Sequence, residues 1–241
     1  RAAKVMLNQD KVRQIEEYYA QCELEGANEH QVEESQKAVA KMEVIIGDPD
    51  RLRAVAEDFI KHYETRVAEG ATVAGKAMFV CSNRNIAYDF YKIVKELRPK
   101  WTEKKICDDG VVLSEKDKKE LKPMEKIKLV MTRNKDDEKD LFDMLGTKED
   151  RKEFDRQFKN PKSNFKIAIV VDMWLTGFDV PELDTIYIDK PIQQHTLIQT
   201  ISRVNRVCEG KDKGLIVDYI GIKKNMNTAL KKYTNFESEE F

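Results

Sequence analysis

The stretch that decides the fold is KAMFVCSNRNIAYDFYKIVKEL, residues 76–97. Its first six residues are a short apolar run that suits a buried strand. The remainder carries apolar side chains at helical spacing, namely Ile86, Phe90, Ile93, Val94 and Leu97. Ser82 or Asn83 can cap that helix, and Pro99 ends it. The stretch is therefore predicted to be a strand followed at once by a helix.

Four further apolar runs of strand length follow, separated mostly by stretches with helical spacing: IKLVMT (127–132), KIAIVV (166–171), TIYI (185–188) and GLIVDY (214–219). The helical stretches include Leu141 to Leu145 and a segment that Thr147 can cap. This alternation predicts an α/β fold, in which a parallel sheet carries helices on both faces. In such sheets the functional sites are expected at the carboxyl ends of the strands.

The other segments indicate how the chain is organised. Residues 1–72 are predicted to form amphipathic helices that pack on the α/β part, because apolar residues recur at helical spacing within residues 8–25, 32–46 and 51–68. The α/β part is expected over residues 73–222, and residues 223–241 are expected to begin a further helical region. Residues 101–125 are rich in charge and weakly patterned, which predicts a partly mobile surface insertion.

Composition narrows the class of protein. The chain has 241 residues, is 41% hydrophobic and carries a net charge of -1, so it is expected to fold and lacks the dense basic character of a stand-alone nucleic-acid binder. No run of about 18 apolar residues occurs, so we expect a cytoplasmic protein without a membrane span. The four cysteines and three histidines are far apart, which predicts no metal site. Because the chain opens with Arg1, we expect it to be part of a longer protein.

The first stretch that could carry chemistry is VVDMWLTGFDVPELDTIYIDKP, residues 170–191. A strand runs into Thr176, Gly177 and Asp179, and a turn of this kind presents backbone N–H groups, a hydroxyl and a carboxylate to a ligand. An ordinary turn explains the same residues, because glycine supplies a positive φ and aspartate bonds its own backbone.

The second stretch is QTISRVNR, residues 199–206. On one continuous helix, Gln199, Arg203 and Arg206 would share a face, opposite a core stripe that includes Val204. Two guanidinium groups at fixed spacing suit phosphate oxygens. The alternative is a solvent-facing helix whose arginines pair with carboxylates.

The order of these stretches resembles the second RecA-like domain of superfamily 2 helicases and translocases. More closely, LTGFDVPELDTIYIDKPIQQHTLIQTISRVNR is similar to the restriction (motor) subunit of type I restriction–modification enzymes. The resemblance implies that Arg203 and Arg206 reach across an interdomain cleft to the γ-phosphate of ATP. It also implies that Gly177 and Asp179 face the nucleotide sugar and the coupling region, and that Gln199 belongs to the same face as the arginines.

The resemblance also implies cofactors and partners for the full-length protein. These are ATP with Mg²⁺, double-stranded DNA, a first RecA-like motor domain, a nuclease domain, and the methylation and specificity subunits. Polar residues that follow strands are candidates for nucleic-acid contacts, namely Ser82, Arg84, Thr132 and Thr176. Helix capping and turn formation explain most of these residues equally well.

The sequence also departs from the family pattern and lacks part of a motor. Val171 stands where many superfamily 2 proteins carry threonine, and Val204 and Asn205 lie where many have histidine or glycine. No G-x-x-x-x-G-K-[ST] loop occurs, and no acidic D-E-x-[HD] box stands directly at a strand end, so the chain alone is expected not to hydrolyse ATP. Two alternatives are an independent nucleic-acid-binding α/β module and a doubly wound small-molecule enzyme. The second is disfavoured because no G-x-G-x-x-G follows a strand.

Overall fold

The computed structural model describes residues 42–175, 178–192, 199–200, 202–211 and 213–220. Five strands lie in this part of the chain: β1 (Lys76–Cys81), β2 (Ile127–Val130), β3 (Ile167–Val170), β4 (Leu183–Asp189) and β5 (Leu215–Asp218). They form one sheet in the order β2-β3-β1-β4-β5, and every neighbouring pair is parallel. The α/β class and the parallel sheet predicted from the sequence are therefore confirmed.

All five predicted strands are present, and their ends differ from the predictions by two residues at most. β4 is longer at both ends than the predicted residues 185–188. Its polar ends belong to the strand because both aspartates are buried and hydrogen-bonded. Asp184 accepts a hydrogen bond from the backbone N–H of Val73, and Asp189 accepts one from Arg51. The pattern of apolar residues alone could not assign these aspartates to the strand.

Among the described residues, the helices that connect or flank the strands include α1 (Pro49–Ala68), α2 (Arg84–Leu97), α3 (Glu115–Glu120), α4 (Lys139–Leu145) and α5 (Lys148–Lys159). Asn83, rather than Ser82, caps α2 by accepting the N–H of Ile86 at 3.0 Å. Thr147 caps α5 as predicted, in a reciprocal arrangement with Asp150. The helix predicted over residues 8–25 lies outside the described residues, as does most of the one predicted over 32–46.

The sheet carries helices on both faces. On one face α1 and α2 pack through an aromatic cluster, in which Phe59 meets Tyr187 edge-on at 4.8 Å and Phe90 stacks on Phe79 at 3.9 Å between ring centroids. Side chains alternate along a strand, so Lys76 lies on the face opposite Phe79. There its ammonium lies 5.1 Å from the centre of the Phe158 ring of α5.

Residues 101–125 are anchored at both ends. The carbonyl of Trp101 accepts the N–H of Lys126 at 2.8 Å, and Lys105 and Met124 exchange two backbone hydrogen bonds. Trp101 and Met124 are buried. The segment predicted to be a surface insertion therefore contributes to the core at both ends.

A buried ion pair joins α1 to the carboxyl end of β4. Arg51 donates to both carboxylate oxygens of Asp189, one of them at 3.1 Å, and also to the carbonyls of Ile46 and Tyr219. The side chains of Arg51 and Asp189 are 6% and 0% exposed. The pair therefore ties α1 to β4 and to the residue that follows β5.

No helix among the described residues is long and apolar enough to cross a membrane.

We predict that Arg51→Ala lowers the free energy of unfolding by about 3–5 kcal/mol, because it leaves the Asp189 carboxylate buried without its partner. Arg53→Ala is the matched control, since Arg53 lies on the same helix and pairs with Glu96 in solvent. Urea unfolding followed by circular dichroism measures both variants. Equal effects of the two substitutions would contradict the role assigned to the buried pair.

Candidate functional site

Two of the predicted nucleic-acid residues follow β1 and bond within the chain. Ser82 donates its hydroxyl to the carbonyl of Asp189 at 2.9 Å. Arg84 donates to the carbonyl of Thr132 at 2.7 Å and to both carboxylate oxygens of Asp137 at 2.5 Å. These bonds link the loops that follow β1, β2 and β4 along the carboxyl edge of the sheet. Both side chains therefore have a structural role in this arrangement.

Thr132 is exposed just beyond β2 at the same edge. Lys190, just beyond β4, donates to the carbonyl of Val171 at 3.2 Å and pairs with the exposed carboxylate of Asp172. The carboxyl edge therefore carries a hydroxyl, an ammonium and an exposed carboxylate beside the bonded pair Ser82 and Arg84. Thr176, the fourth predicted nucleic-acid residue, lies outside the described residues, as does Gly177.

The segment between β3 and β4, residues 171–182, returns from the carboxyl edge to the amino-terminal edge. It must do so because the two strands run parallel and β4 begins at Leu183. Its last residues lie at the start of β4, where the carbonyl of Val180 accepts the N–H of Leu183 at 3.0 Å. The carbonyl of Pro181 accepts the ammonium of Lys211 at 2.8 Å. Asp179, two residues earlier, is thus near the amino-terminal ends of β4 and β5.

The predicted arginines meet this return segment. Arg203 donates from Nη1 to the carbonyl of Phe178, and Arg206 pairs through Nε with Oδ1 of Asp179 at 3.4 Å. The side chains of Arg206 and Asp179 are 51% and 55% exposed. The structure therefore brings together three of the predicted site residues, Asp179, Arg203 and Arg206.

The predicted helix ends sooner than expected. Residues 199–200 and 202–204 are helical, Asn205 is in a turn, and Arg206 is outside the helix. The expectation that Gln199, Arg203 and Arg206 share one helical face is therefore wrong for Arg206, which reaches Asp179 from the segment that follows the helix. Gln199 is half-buried, and its carbonyl accepts the hydroxyl of Ser202 at 2.7 Å.

A close backbone approach holds the end of that helix against the sheet. Val204 is buried, and its carbonyl lies where a Cβ on Gly214 would stand. Only glycine permits this approach, and Gly214 directly precedes β5. Val204 is therefore beside the start of β5, which places Arg203 at the amino-terminal edge as well.

The two groups of candidate residues therefore lie at opposite ends of the strands. Ser82, Arg84 and Thr132 are at the carboxyl edge, whereas Asp179 and the arginines are at the amino-terminal edge. The seven residues of β4 separate the edges by about 20 Å. The expectation that every site lies at the carboxyl ends is wrong for the arginine group, because the Thr-Gly-x-Asp sequence belongs to the returning segment and not to a turn at the end of β3.

A cavity of about 230 Å³ also opens at the amino-terminal edge, and sequence reasoning missed it. Its lining includes Arg66, Lys211, Lys213 and the buried Asp184. Burial raises the pKa of Asp184 and lowers the pKa of Lys211. These residues come from three distant parts of the sequence, so no local pattern could have indicated the cavity.

The described residues hold no cluster of three metal-ligating side chains. The string D-E-K-D at residues 137–140 matches an acidic box in letters only, since it lies at the start of α4 and not at a strand end. Its first residue, Asp137, accepts hydrogen bonds from Arg84 and from the backbone N–H of Asn134.

The sequence matches a known family over most of this sheet. A family model described as type I restriction enzyme subunit R domain 3 matches residues 73–221. The chain belongs to the R subunits of type I restriction enzymes. The R-subunit chain is 37% identical over 206 residues to the HindI endonuclease subunit from Haemophilus influenzae, which covers 84% of this chain. It is 39% identical over 211 residues, or 87% of the chain, to the sequence named as the MjaIXP endonuclease subunit from Methanocaldococcus jannaschii.

The R-subunit chain spans 18% of the length of each of these relatives. Among solved structures, the helicase domain of Hef from Pyrococcus furiosus matches 90% of this chain and 37% of its own length, at 16% identity and a TM-score of 0.40. The resemblance to R subunits expected from residues 175–206 is confirmed by the sequence matches.

Proposed function

We propose that this chain is the second RecA-like motor domain of an ATP-dependent DNA translocase, within the R subunit of a type I restriction enzyme. In this proposal Arg203 and Arg206 act on ATP that is bound mainly by a first motor domain elsewhere in the subunit. The observation that carries the proposal is that two guanidinium groups and Asp179 meet at one accessible edge of the sheet, within the stretch that resembles the family most closely.

The pairing of Arg206 supports a role in binding a phosphate group. An ion pair between half-exposed side chains contributes only about 0–1 kcal/mol. A guanidinium group binds phosphate oxygens through two parallel hydrogen bonds, which is a stronger interaction. Arg206 can therefore leave Asp179 for a phosphate at little cost, and Asp179 orients the guanidinium until then.

Arg203 is also held by the segment that returns from β3 to β4, through a hydrogen bond to its backbone. Its Nη1 donates to a backbone carbonyl, and its Nε is buried without a hydrogen-bond partner among the described residues. A carbonyl does not neutralise a guanidinium, so the positive charge of Arg203 persists at this edge. Together the two arginines would stabilise negative charge as it develops on the transferred phosphoryl group, an effect of roughly 10³ to 10⁵ in rate for the arginine finger of GTPases.

The residues of this chain fit one side of an ATP site. The arginines suit the terminal phosphate, Gly177 and Asp179 are proposed to face the nucleotide sugar, and Gln199 is proposed to complete the same face. ATP with Mg²⁺ would supply the phosphoryl group that is transferred to water. The sequence has no phosphate-binding loop, so that part of the site is assigned to the first motor domain.

Contacts with double-stranded DNA are proposed for the carboxyl edge, about the length of a strand away from the arginines. Thr132 supports this most directly, because its side chain is exposed beyond β2. Ser82 and Arg84 remain candidates, although their bonds within the chain favour a role in holding the loops together. The nuclease domain, the methylation subunit and the specificity subunit are proposed partners on the basis of the family.

We predict that Arg203→Ala and Arg206→Ala each lower DNA-stimulated ATP turnover of the full-length subunit by about 10³-fold or more, because the charge on the transferred group loses a cation. Steady-state phosphate release measures this turnover. Arg156→Ala is the matched control, since the side chain of Arg156 is 53% exposed and pairs with Glu153 on α5. It should leave turnover unchanged.

Wild-type turnover in both arginine variants would contradict the proposed mechanism. So would an equal loss in the Arg156 control, because it would indicate a general effect of removing a surface cation.

The alternative is an independent nucleic-acid-binding module without motor function. We predict that the isolated chain binds duplex DNA no more tightly than about 10⁻⁴ M at physiological salt, because half of a motor offers only part of the DNA track. Fluorescence anisotropy across a series of salt concentrations tests this. Tight binding that weakens steeply with salt would favour the alternative.

A further inference from the structure

Trp174 has an unusual backbone conformation in the segment that returns from β3 to β4. Its φ is 68°, and it is the one residue other than glycine with a positive φ among those that the structure describes. A bulky side chain in this region is strained, because its Cβ crowds the backbone. Such a conformation persists only where the surrounding contacts impose it.

The contact that imposes it is a stack with Phe178. The two rings are parallel to within 2°, and their centroids are 4.1 Å apart. Phe158 supports the pair from α5, with its ring centroid 5.3 Å from that of Trp174 and 6.1 Å from that of Phe178. The stack therefore joins Trp174 to Phe178, and Phe158 holds both rings against α5.

The stack lies directly beside the arginine group. The carbonyl of Phe178 accepts Arg203, and Asp179, the next residue, pairs with Arg206. Both partners of the arginines are thus on the backbone that the Phe178 ring anchors. A shift of that backbone would move the acceptor of Arg203 and the carboxylate beside Arg206 together.

We propose that Trp174 is a positioning residue for the arginine pair, acting through its stack on Phe178. This inference rests on the proposed motor function. The indole ring holds the Phe178 ring, and thereby positions the Phe178 carbonyl that accepts a hydrogen bond from Arg203 and the adjacent Asp179 that pairs with Arg206. An aromatic side chain at position 174 is therefore required for turnover even in variants that fold normally.

The test compares three substitutions in the full-length subunit. Trp174→Ala removes the stack and retains the strain of a Cβ at positive φ, whereas Trp174→Gly removes both, because glycine adopts this φ freely. Trp174→Phe keeps a ring that can stack. The rate of ATP hydrolysis is measured with DNA present. Titration with a non-hydrolysable ATP analogue gives the number of nucleotide sites, and the rate is divided by that number to give turnover per bound nucleotide.

We predict that the Trp174→Ala and Trp174→Gly variants lower turnover per bound nucleotide by about 10- to 100-fold. A loss of this size is expected when the guanidinium groups are misplaced by about 1 Å. Nucleotide affinity should change little, since the first motor domain supplies most of it. Trp174→Phe should restore most of the activity. Trp174→Gly should unfold at a temperature no lower than Trp174→Ala and yet be no more active, which separates positioning from stability.

Trp101→Ala is the control, because Trp101 is the other tryptophan of the chain and is buried beside Tyr63 on the opposite face of the sheet. The inference is overturned if activity follows the unfolding temperature across all variants, if Trp101→Ala lowers turnover per bound nucleotide as much as Trp174→Ala, or if Trp174→Ala is fully active. Arg206→Ala in the same assay separates the two proposals: full activity there refutes the motor function, whereas an inactive Arg206 variant beside a fully active Trp174→Ala refutes only this inference.

Discussion

The return of the chain from β3 to β4 is the constraint on which the site depends. Parallel strands require a crossover, which is usually a helix. Here residues 171–182 make it, and the described residues among them contain no helix. A segment without helical hydrogen bonds needs other contacts to hold it, and the stack of Trp174 on Phe178 and the bond from Arg203 to the carbonyl of Phe178 supply them. The contacts that stabilise the crossover are thus the same contacts that place the arginines.

The two ends of the sheet differ in how firmly their polar side chains are held. At the carboxyl edge, the buried pair of Arg51 and Asp189 and the bonds of Ser82 and Arg84 join the loops that follow three strands into one bonded rim. At the amino-terminal edge, Arg206 and Asp179 are half-exposed and weakly paired. Under the proposed function, the bonded rim would hold DNA, and the weakly paired cation would bind and release a phosphate.

The sequence predicted the sheet well because each strand is a nearly continuous apolar run, and the buried positions of β1 and β3 follow from that pattern alone. It also identified Asp179, Arg203 and Arg206 as a group. It could not place them, because the edge at which they lie depends on the path of the crossover and on the approach of Gly214 to Val204, which are contacts between distant residues. It likewise missed Arg51 and Trp174, whose roles arise from a buried carboxylate and a stacked ring rather than from a local motif.

The placement of the arginine segment at the amino-terminal edge can be measured as a pair of distances. Spin labels at Val207, Val73 and Asp172 suit double electron–electron resonance, because all three side chains are exposed and cysteines can be introduced after the native ones are replaced. Val73 lies before β1 beside Gly210, and Asp172 lies just beyond β3. We predict that the distance from Val207 to Val73 is shorter than that from Val207 to Asp172 by on the order of 10 Å, given the rise of a strand. A shorter distance from Val207 to Asp172 would contradict it.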